Sequence, residues 1–213
     1  KCVQPDTRPK IEINEDGVCN ACIGQIEKTT VIDWEQRKKE FEQIIKKHKG
    51  QGAYDCIVPV SGGKDSTYQV YVMKHKFKLN PLCLTINSHA RTELGQANLN
   101  NLIKLGVDHI DVTTSPETER KFLYKALVKT GIVSLPFHLA MYALPLRFAI
   151  NFKIPLIVWG ENTAMEYGGT ANDRNQGYSD RSFLMKYGAI DGTVAEDWID
   201  DNLTARDLYP YTF

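Results

Sequence analysis

The stretch YDCIVPVSGGKDSTYQVYVMKHKF, residues 54–77, decides the fold. Its first seven residues are mostly apolar, with Tyr54 and the β-branched Ile57, Val58 and Val60, as strands buried on both faces tend to be. A helix is expected over 66–78. The turn between is Ser61-Gly62-Gly63-Lys64-Asp65-Ser66. Gly62 and Gly63 permit positive φ and close backbone approach to an anion. Free N–H groups at the start of the helix favour a phosphate there. Ser61 and Ser66 add hydroxyls, Lys64 adds a cation, and Asp65 can orient the loop or help hold Mg²⁺. The spacing is not the G-x-x-x-x-G-K-[ST] of the common P-loop, which serves attack at a γ-phosphate.

Working outward, further strands are expected at 81–86 (PLCLTI), 109–114 (HIDVTT) and 154–160 (IPLIVWG). Helical stretches lie between them at 92–105, 117–130 and 138–152, the last kinked or broken at Pro145. This alternation predicts an α/β fold, an open parallel sheet with helices on both faces. Ligands of such sheets bind at the carboxyl ends of the strands, which is where the glycine loop sits. Three segments follow: a loop-rich module at 1–32, a connecting helix within 33–53, and the α/β domain at 54–213. Asp33 with Gln36 reads as the N-cap of the connecting helix, with Trp34, Phe41, Ile45 and His48 on one stripe and Gly50 as its stop. Thr193 and Glu196 read as a capping box for a short helix over AEDWIDDN.

Lys and Arg together equal Asp and Glu, at 26 each, so the formal charge is zero. That balance disfavours a nucleic-acid partner, which calls for a basic face. No apolar run reaches membrane-spanning length. Five cysteines, two of them (Cys56 and Cys83) inside strand-like runs, do not form a disulfide framework and fit a reducing cytoplasm. Cys2, Cys19 and Cys22 supply three of the four ligands of a structural zinc site. The expected fourth is the other half of a Cys-x-x-Cys knuckle ahead of Lys1. Three free thiols and an iron–sulfur site are the alternatives.

After the last strand comes WGENTAMEYGG, residues 159–169. Gly160, Glu161 and Asn162 fall beside the first loop in a parallel sheet. Glu161 and Glu166 are candidate Mg²⁺ ligands, since Mg²⁺ takes a few carboxylates together with phosphate oxygens; a helix cap or an exposed site is the alternative for each.

SGGKDS after an apolar strand resembles the PP-loop of the N-type ATP pyrophosphatases. The resemblance implies a loop that holds the β,γ-pyrophosphate of ATP while an acceptor oxygen is adenylated, giving AMP and pyrophosphate. Catalysis would rest on Lys64, Asp65, Glu161, backbone N–H groups and Mg²⁺. Adding PDTRP…GVCNAC, NSHARTELGQANLNNLIKLGVD and WGENTAMEYGG, the chain resembles the N-acetyl sugar amidotransferases of bacterial surface-polysaccharide (lipopolysaccharide O-antigen) assembly from Cys2 to about Tyr211. Members begin slightly earlier and continue further, so both ends are expected to be trimmed. The resemblance implies a nucleotide-activated N-acetyl sugar whose acetamido oxygen is adenylated and replaced by ammonia, giving an acetamidino sugar. Ammonia would come from a separate glutaminase with a cyclase-like subunit. Asn87 would join the adenine and ribose site, and His89, Arg91, His138 and Glu166 would contact substrate. An exposed loop position for His89 and a core or cap position for His138 are the alternatives. Arg147 is a further basic residue in the same stretch as His138. A homo-oligomer is compatible with all of this.

A tRNA thiolase of the same superfamily is the alternative function. It requires a catalytic cysteine near the ATP site and a basic face. A non-catalytic zinc-ribbon protein carrying an inactive loop is a third class, and the intact Ser-Gly-Gly-Lys-Asp-Ser argues against it.

Overall fold

The computed structural model describes residues 2–7, 10–87, 89–176 and 178–213. Three parallel strands, β1 (Cys56–Pro59), β2 (Pro81–Ile86) and β3 (Asp108–Val112), form a sheet in the order β1-β2-β3. Residues 156–158 lie on the free side of β1. Ile57 N–H donates to Leu156 O and Val158 N–H donates to Ile57 O, both at 2.9 Å. This segment was expected to be a full strand at 154–160, yet among the described residues it makes one parallel bridge. Pro155 has no N–H to give to a ladder. Trp159 leaves the strand path to pack on Tyr142, with ring centroids 5.7 Å apart.

The helices are α1 (Asn20–Thr30), α2 (Trp34–His48), α3 (Lys64–Tyr71), α4 (Glu93–Ile103), α5 (Pro116–Thr130), α6 (Leu135–Phe152), α7 (Thr163–Tyr167), α8 (Ala171–Arg174) and α9 (Arg181–Tyr187). A π-helical turn, Val72–Lys76, prolongs α3. Alternating strand residues face opposite ways, as a pleat requires. Ile57, Leu82 and Leu84 join a core with α5, α6 and the C-terminal segment. Cys56, Val58 and Cys83 join a second core with Val70 of α3, Leu99 and Leu102 of α4 and Ile45 of α2. Helices therefore cover both faces, as expected. No helix among the described residues is long and apolar enough to cross a membrane.

Several local expectations are corrected. The module at 1–32 contains α1. The helix through Pro145 is unbroken and starts at Leu135, three residues earlier than expected. Pro136 sits in its first turn, where a missing N–H costs nothing, and burial of Leu139, Ala140, Ala143 and Leu144 holds the turns around Pro145. Trp34 is exposed, and its indole N–H donates to Lys28 O at 2.7 Å, tying α2 to α1. The expected capping box at 193–196 is displaced by one residue. Asp197 accepts from Val194 N–H at 2.9 Å, while Thr193 Oγ1 accepts from the Trp198 indole. The fully buried Trp198, packed on Phe122, sets this register and limits the element to a 3₁₀ turn, Ala195–Trp198.

A buried relay anchors the end of β1. Thr85 Oγ1 donates to Val60 O at 2.9 Å, and His109 Nε2 lies 2.9 Å from the same hydroxyl. The hydroxyl's single proton goes to Val60, so His109 must donate from Nε2. Burial lowers the His109 pKa, with Asp111 opposing and Arg91 reinforcing the shift; burial also lowers that of His138. A histidine held neutral by the fold stabilises it above the unfolded value of about 6.5, and that stability is lost as pH falls below it. The thermal midpoint should therefore drop between pH 7.5 and 5.5. His109→Gln, which can still donate to Thr85, should flatten the drop; an unchanged slope in thermal melts would refute the assignment.

Candidate functional site

The free order, segment 156–158, β1, β2, β3, reverses direction at β1. Chain leaving β1 goes toward β2, while the last strand-like segment returns on the other side. The crevice at such a reversal, beyond the carboxyl ends of the strands, is where open α/β sheets bind ligands. The glycine loop 61–66 and residues 160–162 both emerge there.

Gly62 has φ +81°, and an added Cβ would lie 2.8 Å from Leu99 N of α4. This is a position only glycine fits. Gly63 has an ordinary φ of −71° and caps α3. Its N–H donates to Ser61 Oγ at 3.3 Å, and Ser66 Oγ donates back to Gly63 O at 3.1 Å. The first helical hydrogen bond runs from Thr67 N to Gly63 O at 3.0 Å. The N–H groups of Lys64, Asp65 and Ser66 precede it and have no intrahelical acceptor. Lys64 and Asp65 form an ion pair at 2.8 Å with side chains 89% and 85% exposed. So exposed a pair contributes little to stability, which leaves the Lys64 ammonium open to an incoming phosphate and the Asp65 carboxylate open to a cation.

Gln69 of α3 donates to Val158 O at 2.7 Å, and its Oε1 lies 3.0 Å from where a Cβ on Gly160 would stand. This contact, absent from the sequence reading, closes the crevice between α3 and the last segment. Glu161 is exposed just beyond it. The Tyr142 hydroxyl is pushed up to about 12, mainly by burial and then by the charges of Glu161 and Tyr167. Asn162 serves as the N-cap of α7, its Oδ1 accepting from Met165 N at 3.1 Å, and its Nδ2 donates to Arg174 O. Glu166 is ion-paired with Lys28 of α1. Glu161 and Asp65 are thus the exposed carboxylates flanking the crevice. Their hard oxygen donors fit Mg²⁺, which binds through one or two carboxylates plus phosphate oxygens.

Beyond β2 lies a polar cavity of about 410 Å³ lined by Asn87, His89, Arg91, Thr92, Glu93 and Gln96. Asn87 donates to Thr113 Oγ1 at 3.1 Å, while its buried Oδ1 has no hydrogen-bond partner among the described residues. That orphaned acceptor suits a ligand N–H. His89 Nε2 sits 3.2 Å from Thr114 O and 3.1 Å from the Glu119 carboxylate. Arg91 is gripped by Asp111, with NH2 to Oδ1 at 2.9 Å, and by Gln96. The carboxylate raises the guanidinium pKa further. His89 and Arg91 are walls of the cavity held from behind. His138 lies elsewhere, half-buried at the start of α6 near Ala189, and Arg147 is bound to Thr212 at the C-terminal segment. Ser88, and Arg8 and Pro9 of the PDTRP motif, lie outside the described residues.

The Sγ atoms of Cys2, Cys19 and Cys22 lie within 4.8 Å of one another, 3.2 Å for Cys2 to Cys19 and 3.8 Å for Cys2 to Cys22. A tight turn builds the group. Asn14 N–H bonds Val18 O, Val18 N–H bonds Asn14 Oδ1, and Ile13 pairs with Cys19. Cys19 then caps α1 and places Cys22 in its first turn. The Gln4 N–H and the Cys19 thiol draw the Cys2 pKa down to about 7, while the neighbouring thiols push Cys22 up to about 11. Three convergent sulfurs, one easily ionised, fit a soft or borderline ion such as Zn²⁺.

No family model matches the chain. Over 106 residues, 48% of this chain, it is 36% identical to an uncharacterized protein of Methanocaldococcus jannaschii; it spans 37% of that relative's length. Among solved structures it is similar to an NH3-dependent NAD synthetase from Campylobacter jejuni in complex with the nitrate ion, at TM-score 0.46 and 14% identity over 72% of this chain and 71% of that one. It is also similar to an NMN synthetase from Francisella tularensis, at TM-score 0.46 and 16% identity over 80% and 76% of the two chains.

Proposed function

We propose that the chain is an ATP-dependent amidotransferase that adenylates the acetamido oxygen of a nucleotide-activated N-acetyl sugar, releasing AMP and pyrophosphate. The observation that carries the reading is the glycine loop 61–66, seated where the sheet reverses direction and flanked by the exposed Lys64, Asp65 and Glu161. The N–H groups at the start of α3 and the Lys64 ammonium would hold the β,γ-phosphates, which leave as pyrophosphate. Mg²⁺ held by Asp65 or Glu161 would offset the phosphate charge. The cavity beyond β2 would take the nucleoside, with Asn87 Oδ1 accepting from a base N–H. An amide oxygen is a poor leaving group; once adenylated it departs as AMP when ammonia attacks the carbon, leaving an amidine. Ammonia would be delivered by a separate glutaminase.

The exposure of Lys64 and Asp65 supports positioning and charge stabilisation as the source of catalysis. A sulfur-transferring thiolase is disfavoured. Cys56 and Cys83 are fully buried, and burial pushes both thiols up to about 12, so neither supplies a thiolate. The test is AMP release by the full-length protein with a panel of nucleotide-activated acetamido sugars and ammonium, and in parallel with tRNA and a sulfur donor. The expected result is AMP release that requires both sugar and ammonium. Release that requires tRNA and sulfur would replace this reading with the thiolase.

A further inference from the structure

The second signature, GENTAMEYGG, runs from the crevice directly onto the thiol-bearing helix. α1 turns one face to it: Asn20, Gly24, Glu27 and Lys28, the i, i+4, i+7, i+8 positions of a helix. Gly24 is bare, so the Arg174 stem lies along the helix; a Cβ there would stand 3.1 Å from Arg174 Cδ and 3.3 Å from Met165 O. Gly168, at φ +94°, abuts Asn20, and a Cβ on it would come within 2.5 Å of Asn20 Oδ1. Arg174 itself is buried, its side chain 5% exposed. Its guanidinium grips Glu27 at 3.1 Å through Nε and 2.8 Å through NH2, and also donates to Gly169 O. Its carbonyl accepts from Asn162 Nδ2 at 3.3 Å. Asn162 is the residue after Glu161.

A buried guanidinium is stable only while its partner is held in place. Glu27 lies on α1 about two turns from Cys19 and between one and two turns from Cys22, so whatever fixes those thiols fixes Glu27. We infer that Arg174 is a positioning residue that couples the metal-binding thiol module to the nucleotide site, by fixing the loop that carries Glu161 only when α1 is locked at its cysteine end. The inference rests on the nucleotide reading above for its functional half. Its structural half, the coupling of α1 to residues 162–176, stands on contacts alone. By linkage the coupling is reciprocal: nucleotide binding should tighten metal retention as much as metal tightens nucleotide binding.

The test uses the full-length protein loaded with zinc, and the same protein stripped by a zinc chelator and returned to Mg²⁺. Amide hydrogen exchange and affinity for α,β-methylene ATP are measured in both. Stripping should speed exchange in α1 and in residues 162–176 roughly tenfold or more, leave β1 and β2 unchanged, and weaken analogue binding about tenfold, within the usual range of allosteric couplings. Glu27→Gln keeps the shape but removes the charge and one of the two oxygens that accept from Arg174, and should shrink the loaded-to-stripped affinity ratio to about twofold or less. The double variant Glu27→Gln, Arg174→Gln, which leaves no buried unpaired charge, should show the same small ratio. A purely structural role would lower stability without changing that ratio. A chain that takes up no zinc, exchange confined to α1 on stripping, or an unchanged ratio in Glu27→Gln would each overturn the inference. If the analogue fails to bind even the loaded wild type, the nucleotide reading falls, and the exchange measurement alone decides the coupling.

Discussion

Lys64→Ala should lower the rate of the proposed ATP cleavage roughly 10²–10³-fold, the range found when one charge-stabilising donor is removed from an active site. The fold should be unaffected. Lys64 is 89% exposed and its bond to Asp65 is a surface pair, so the thermal midpoint should stay within a degree or two of wild type. A loss of turnover without loss of stability is the signature of a group that acts on the phosphate. If instead turnover persists, the phosphates are held elsewhere and the loop is only a turn. Asp65→Asn run alongside separates the two members of the pair, since Asp65 would act through Mg²⁺ and its loss should be relieved in part by raised Mg²⁺ concentration.

Gly62→Ala should be strongly damaging. Two effects add. A side chain at φ +81° costs about 1–2 kcal/mol. The new methyl, 2.8 Å from the Leu99 backbone nitrogen, meets helix backbone that cannot rotate away, and overpacking of that kind costs about 1–3 kcal/mol. Together they predict a loss of about 2–5 kcal/mol in denaturant titrations, with nucleotide binding lost through displacement of the loop. Gly63→Ala is the control. Its φ of −71° suits any residue, and among the described residues an added Cβ would meet only the Ser61 hydroxyl at 3.3 Å, so a loss of about 1 kcal/mol or less is expected. Equal losses in the two variants would show that the loop is not seated on α4.

The contrast between these two glycines shows what the sequence carried. Strand, turn and helix at 54–77 were legible because each signal is local: an apolar β-branched run, two glycines and a helix start. The sequence marked Gly62 and Gly63 alike, however, because only the approach of α4, from Leu99, distinguishes them. β2, α4 and α5 were legible for the same local reasons. α1 was not, because its docking face is Asn20, Gly24, Glu27 and Lys28. Small and polar residues make no apolar period, and the partner is a loop about 140 residues away. The same distance hid the duty of Glu166, whereas that of Asn162 is a local cap. Both read as site residues by their closeness to Glu161, and the structure engages one with Lys28 and the other with the start of α7. The segment at 154–160 carried a strand's composition, but Pro155 and the pull of Tyr142 on Trp159 reduce it to one bridge. Glu161 gained a context that composition could not supply: it sits at the free end of a loop whose other end is bolted to the thiol module through Arg174 and Glu27.

The central claim is that the loop 61–66 presents the α-phosphate of ATP to an acetamido oxygen. It is tested most directly by following that oxygen. A nucleotide-activated N-acetyl sugar labelled with ¹⁸O in its acetyl group is incubated with the full-length protein, ATP, Mg²⁺ and ammonium, and the nucleotide products are read by mass spectrometry. Adenylation followed by amination transfers the labelled oxygen to phosphorus, so the account predicts AMP carrying one ¹⁸O with unlabelled pyrophosphate. ADP and phosphate, or AMP without the label, would contradict it.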